Sequence, residues 1–194
     1  MDGDRNERPR GRVIKFIDAG VADFPVRDVE GNYKKHPATE PYIEYGLEKD
    51  ENDGRIIGAE NYYSCCYQKG VKKVVDNKTE YLFLASYPHH DRVNATENLI
   101  IGYIHHEKHE WRNEDRVAVI GHMKIYRFDD GIPLSDLGYE PASRSLSPYG
   151  LNLDEEQTEE VITHFNAKSD VTEKSLEKVL ELEGKTTVAS SGYC

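Results

Sequence analysis

The sequence predicts an α+β fold: a bent or barrel-like, mostly antiparallel β-sheet followed by a C-terminal helical pair. Three observations carry this expectation. Short apolar or alternating runs (RVIKFID, EYLFLASY, LIIGYI, RVAVI) recur through the first two thirds of the chain, as strands do. Gly, Pro, Asn and Asp punctuate them. From Asp154 onward the apolar residues fall at helical spacing behind capping signals, so the helices come last.

Residues 1–11 carry charges of both signs with no apolar run behind them, so they are expected to be a disordered lead and not a secretory signal. Arg12 to Asp18 alternates well enough for a strand, which Gly20 and Pro25 end. Arg27 to Gly54 turns to Asp, Glu, Gly, Pro, Asn and Lys and is expected to be a long irregular loop or insertion. From Arg55 the small and aromatic residues up to Tyr67 suit a strand. Val71 to Val75, the turn-forming Asp76-Asn77-Lys78 and Glu80 to Tyr87 together predict a hairpin. Glu80 to Tyr87 is nearly continuously apolar, the pattern of a central strand covered on both faces.

A polar connection containing His89, His90, Asn94 and Asn98 leads to the densest stretch of the chain, Leu99 to Leu134. Strands are expected at Leu99 to His106, Arg116 to Ile120 and Met123 to Phe128, with turns at Gly121-His122 and Asp129-Asp130-Gly131 and one helical turn at Pro133 to Leu137. These elements make residues 12–137 one β-rich domain. Residues 138–153, with Pro141, Pro148 and several serines, are expected to be a linker. Asp154 with Gln157 is a capping-box pattern ahead of Val161, Ile162 and Phe165. Asp170 with Glu173 repeats it ahead of Leu176, Val179 and Leu180, and Gly184 is a natural stop. Residues 154–184 are thus expected to be an acidic antiparallel helix pair packed on the β-domain or on a partner, and 185–194 an unstructured tail.

Charge is uneven. The formal net charge is −11, which argues against a generally sticky nucleic-acid binder, because phosphate recognition relies on Lys and Arg displacing condensed counterions. From Asp154 to Glu183 ten carboxylates face three lysines, which leaves −4 for all other residues. Between Asn98 and Phe128 five basic residues meet four acidic ones, with four histidines besides. The pattern permits a confined anion-binding face in the middle of the chain. A hydrophobic content of 37% with 31% charged residues, and no apolar run near the roughly 20 residues a membrane span needs, predicts a cytoplasmic protein without a membrane partner. Cys65 and Cys66 are adjacent and Cys194 is the last residue; no C-x-x-C pair or disulfide framework is present.

Candidate chemistry concentrates in His105-His106-Glu107-Lys108-His109 and in Trp111. On a helix His105 and His109 would share a face as zinc ligands often do; on a strand His105 and His106 point to opposite faces and cannot both ligate one metal without a bulge. A site for zinc or another divalent metal on His105, His106 and His109, with help from His89 or His90, and a solvated polar rim are the two readings. No cofactor is otherwise expected. Trp111, the sole tryptophan, and the many tyrosines between Tyr62 and Tyr126 serve either as sheet core or as a cage of flat walls in which Tyr87, Tyr103 and Trp111 accept a flipped base. Arg112, Arg116, Lys124 and Arg127 would hold phosphates beside that cage, or pair as solvated charges with Glu110, Glu114 and Asp115. Phosphate-loop, dinucleotide-binding, zinc-protease and nucleophile-elbow signatures are all lacking, and Asp91, Asp129 and Asp130 are turn formers first.

Three segments, Tyr81 to Tyr87 (YLFLASY), Ile100 to Ile104 (IIGYI) and Arg116 to Gly121 (RVAVIG), resemble strands of the PUA-like superfamily that includes EVE, YTH and ASCH domains. They cover under a quarter of the chain. The resemblance implies a small bent or barrel-like sheet with helices at its side and, by analogy with members that bind RNA or a modified base, a concave aromatic pocket at Tyr87, Tyr103 and Trp111 with Arg112 and Arg116 on phosphates. A non-catalytic module that reads a modified or flipped base is the leading expectation. A metal-dependent hydrolase or nuclease using the histidines, and an assembly subunit docking a protein partner through its acidic helices, are the alternatives.

Overall fold

The computed structural model describes residues 10–16, 18–26, 42–49, 56–62, 69–88, 96–113, 116–140 and 150–182. The predicted lead before residue 10, the tail after 184, the three cysteines and His89 to Asp91 lie outside the described residues. The elements are β1 (Gly11–Lys15), β2 (Tyr42–Lys49), β3 (Ile56–Tyr62), α1 (Lys69–Asp76), β4 (Tyr81–Ser86), β5 (Leu99–Asn113), β6 (Arg116–Ile125), β7 (Ile132–Pro133), β8 (Leu151–Leu153), α2 (Glu155–Asn166) and α3 (Thr172–Leu182). The α+β class is as expected.

One sheet runs in the order β2-β3-β6-β5-β4-β1-β8, with β7 added to β5. All its pairings are antiparallel except that of β1 with β4. Among the described residues the path ends at β2 and β8, so of the bent or barrel-like sheet expected the closed, barrel-like form is not what is seen. β8 is three residues long and gives way at once to α2, so it offers no further strand to carry the path round.

β4 is central, as its continuous apolar run predicts. Leu82 and Leu84 enter one core with Ile14, Ile104, Val119 and Met123, closed by Val74 of α1 and by Leu176 and Val179 of α3. Phe83 and Ala85 enter the other with Val13, Tyr103, Tyr126 and Leu153, closed by Val161 and Phe165 of α2. The C-terminal helices therefore both pack on the β-domain but on its two faces, where an antiparallel pair packed together on that domain or on a partner was expected. Each helix has an apolar stripe to bury, and the sheet offers two faces. The chain crosses from one face to the other past the end of β6: the Ile125 amide donates to Thr172 Oγ1 (2.7 Å) and the Val171 amide to the Ile125 carbonyl (2.8 Å). The capping box at Asp154 and Gln157 is formed.

Four local expectations change. Val71 to Val75 lies in helix α1 and is not a hairpin arm; Asp76-Asn77-Lys78 does turn the chain, but out of a helix, with Lys78 left-handed (φ 52°) and the Thr79 amide bonded to the Val74 carbonyl (2.8 Å). β2 occupies part of the predicted irregular loop. Gly121-His122 is no turn, because β6 runs straight through it. The predicted linker ends in β8, which pairs with β1.

Candidate functional site: the β5–β6 hairpin

β5 is fifteen residues long and outruns β4, whose pairing ends where Tyr81 meets His105 and the His106 amide reaches the Glu80 carbonyl (2.8 Å). Beyond this point β5 continues with β6. His106 pairs with Gly121 but Lys108 pairs with Ile120, so Glu107 is an extra residue, a β-bulge. The bulge resets the alternation of side chains. Residues two apart normally share a face; across Glu107 it is His106 and His109 that do, three apart, with ring centroids 5.5 Å from each other.

On this face, the one against α1, His106 donates from Nδ1 to the Thr79 carbonyl (3.0 Å). Burial pushes its pKa below the ordinary histidine value, so the ring is held neutral. Trp111 comes next on the same face, 46% exposed, with Lys72 Nζ of α1 5.8 Å from its ring centroid.

His105 lies on the opposite face. Its ring is 5.0 Å from that of Tyr81 and its Nε2 is 3.7 Å from Glu80. Arg10 bonds to Glu80 (2.6 Å) and to Glu159 of α2, and the guanidinium holds the Glu80 carboxyl below its usual range. His122, directly across from His105 on β6, is hydrogen-bonded through Nδ1 to Glu107. The sequence offered His122 only as part of a turn; a strand running on through it is what makes it His105's neighbour.

The sheet thus separates the expected metal ligands: His105 faces away from His106 and His109, so the three do not meet. Among the described residues no group of three or more His, Cys, Asp or Glu side chains is placed to hold a metal ion.

The expected aromatic cage is also not assembled. Tyr103 is buried among Tyr81, Phe83, Tyr126 and Phe165 on the face away from Trp111. Tyr87 follows the end of β4, where Ser86 pairs with Leu99; Trp111 stands twelve residues further along β5, about 40 Å of strand. Arg127 lies at that same far end, ion-paired with Asp23 (2.6 Å). Lys124 sits across from Tyr103, on the His105 face. Arg112 and Arg116 are at the hairpin tip, beside Trp111 in the backbone; their side chains are outside the described residues.

No family model matches the chain, and neither a curated protein nor a solved structure matches it. Among the described residues no helix is long and apolar enough to cross a membrane.

Proposed function

We propose that the protein is a recognition module for nucleic acid and that the tip of the β5–β6 hairpin presents Trp111 to an unpaired base. The carrying observation is the exposure of Trp111: the chain's one tryptophan stands 46% open on a strand face while Tyr103 and Tyr126 of the same hairpin region are buried. A flat, solvent-facing indole is a stacking platform for any base, and Lys72, whose Nζ stands over the ring at 5.8 Å from its centroid, supplies a positive charge for the adjoining backbone. Arg112 and Arg116 occupy the same end of the hairpin. The resemblance of β4 and β5 to PUA-like strands supports the same function. With Tyr103 in the core, the platform is one-sided: a modified or flipped base lies against Trp111 rather than between two rings.

The sole tryptophan makes the test direct. Titration with single-stranded oligonucleotides, with and without a modified base, is expected to quench its emission. Trp111→Ala, which has no tryptophan and is titrated by the anisotropy of a labelled oligonucleotide alongside the parent, is expected to weaken binding about tenfold or more, since stacking contributes roughly 1–3 kcal/mol per base, and to leave the melting temperature unchanged. Equal affinity of the variant would overturn the proposal.

A further inference from the structure

We propose that His105 and His122 form a general acid–base pair that acts on the phosphodiester linkage of single-stranded RNA. The site is on the sheet face away from Trp111 and does not depend on base stacking there.

The two histidines are cross-strand partners, which places their Cβ atoms about 5 Å apart on one face. Each is drawn aside by its own carboxylate. His122 donates from Nδ1 to Glu107, which fixes the tautomer and leaves Nε2 as the basic nitrogen. His105 turns Nε2 towards Glu80, 3.7 Å away. The rings are 43% and 41% exposed at the side chain, so a substrate can reach both. Each histidine thus has a carboxylate of its own, Glu107 for His122 and Glu80 for His105.

The surroundings suit an anion. In the register of β5 and β6 the row above the pair holds Lys108 and the row below holds Lys124, both on the same face as His105 and His122. Arg10 offsets Glu80 and Glu159 at the α2 side, with Glu155 further out on its guanidinium. Lysines flanking two histidines neutralise the charge that gathers on phosphoryl oxygens as the phosphorus becomes five-coordinate.

The step needs no added reactant. His122 Nε2 takes the proton of the ribose 2′-hydroxyl, and the 2′-oxygen forms a bond to phosphorus. The bond from phosphorus to the 5′-oxygen breaks with its electron pair, and protonated His105 gives its proton to that oxygen. The products are a 2′,3′-cyclic phosphate and a free 5′-hydroxyl, and one proton has moved from one histidine to the other.

The test uses the full chain, a fluorophore–quencher RNA oligonucleotide in EDTA, and the same oligonucleotide with 2′-deoxyribose throughout. Cleavage of the RNA to cyclic-phosphate ends, none of the deoxy strand, and loss of about 100-fold or more in rate in both His105→Ala and His122→Ala support the proposal. His105→Gln and His122→Gln repeat the measurement should an alanine variant fail to fold. No cleavage by the parent above the double variant His105→Gln/His122→Gln, purified alongside, would overturn it, as would cleavage that both single variants retain. Binding of the deoxy strand, read at Trp111, separates failure here from failure of nucleic-acid recognition itself.

Discussion

A Cβ atom on Gly121 would stand 1.6 Å from the carbonyl oxygen of His105. That contact is backbone against backbone on adjacent strands, so no rotamer change relieves it. Only glycine lets β6 pass the bulge at Glu107. Gly121→Ala is expected to destabilise the protein by on the order of 3 kcal/mol, read from the urea midpoint, and to dissolve the close approach of the His106 and His109 rings in NMR spectra. A shift under about 0.5 kcal/mol, the ordinary range for a surface change, would mean the bulge is not rigid.

His106 gives a pH dependence with a defined sign. Its folded pKa is depressed by burial, so between that value and the ordinary 6.5 the unfolded chain binds more protons, and stability falls as pH falls through this window. Above the ordinary value the contribution is fully present. His106→Asn keeps a donor for the Thr79 carbonyl without the titration. Chemical denaturation at pH 7.5 and 5.5 is expected to show a smaller pH difference in the variant than in the parent, whereas equal differences would assign the effect elsewhere.

Phe165 is wholly buried and stacks on Tyr126 with centroids 4.2 Å apart and planes within 10°. It is the residue that fastens α2 to its face of the sheet. Phe165→Ala is expected to cost roughly 4 kcal/mol, while Thr163→Ala, on the exposed side of the same helix, changes stability by less than about 0.5 kcal/mol. Similar values for the two would show that α2 is only loosely held.

At the start of α2 the Asp154 carboxylate accepts from the Gln157 amide (2.8 Å) and the Gln157 side chain accepts from the Asp154 amide (3.1 Å). Asp154→Ala is expected to destabilise by about 1 kcal/mol. Asp154→Asn, which keeps an acceptor oxygen, recovers most of that in thermal melts.

Much of this fold is written in local pattern. The apolar runs of β4 and β5, the capped stripe of α2 and the apolar stripe of α3 are each dictated within a few residues, and they form where expected. The elements that differ depend on distant partners. Val71, Val74 and Val75 do carry the i, i+3, i+4 spacing of a helix, but two turns of pattern beside Asn77-Lys78 look equally like a hairpin arm. β8 becomes a strand because Gly11 to Val13 lies alongside it, which nothing in Leu151-Asn152-Leu153 announces.

The site divides in the same way. That alternation splits His105 from His106 follows from strand geometry alone. That His106 then rejoins His109 follows from an extra residue, and a bulge is a property of two strands at once. A glycine inside a strand was the available clue at residue 121. Tyr103 and Trp111 are alike as sequence, yet one is covered by α2 and the other stands past the end of β4.

The first strand has unusual company: Gly11 lies between Tyr81 of β4 and Leu153 of β8. One neighbour, at Tyr81, precedes the midpoint of the 194 residues and the other, at Leu153, follows it by far, so the two sides of this strand close at widely separated times during synthesis. Loop-closure entropy is then spent on distant contacts before they return anything, which is the signature of slow, high-contact-order folding. Assembly of this protein is accordingly a late event, completed once its final third is available.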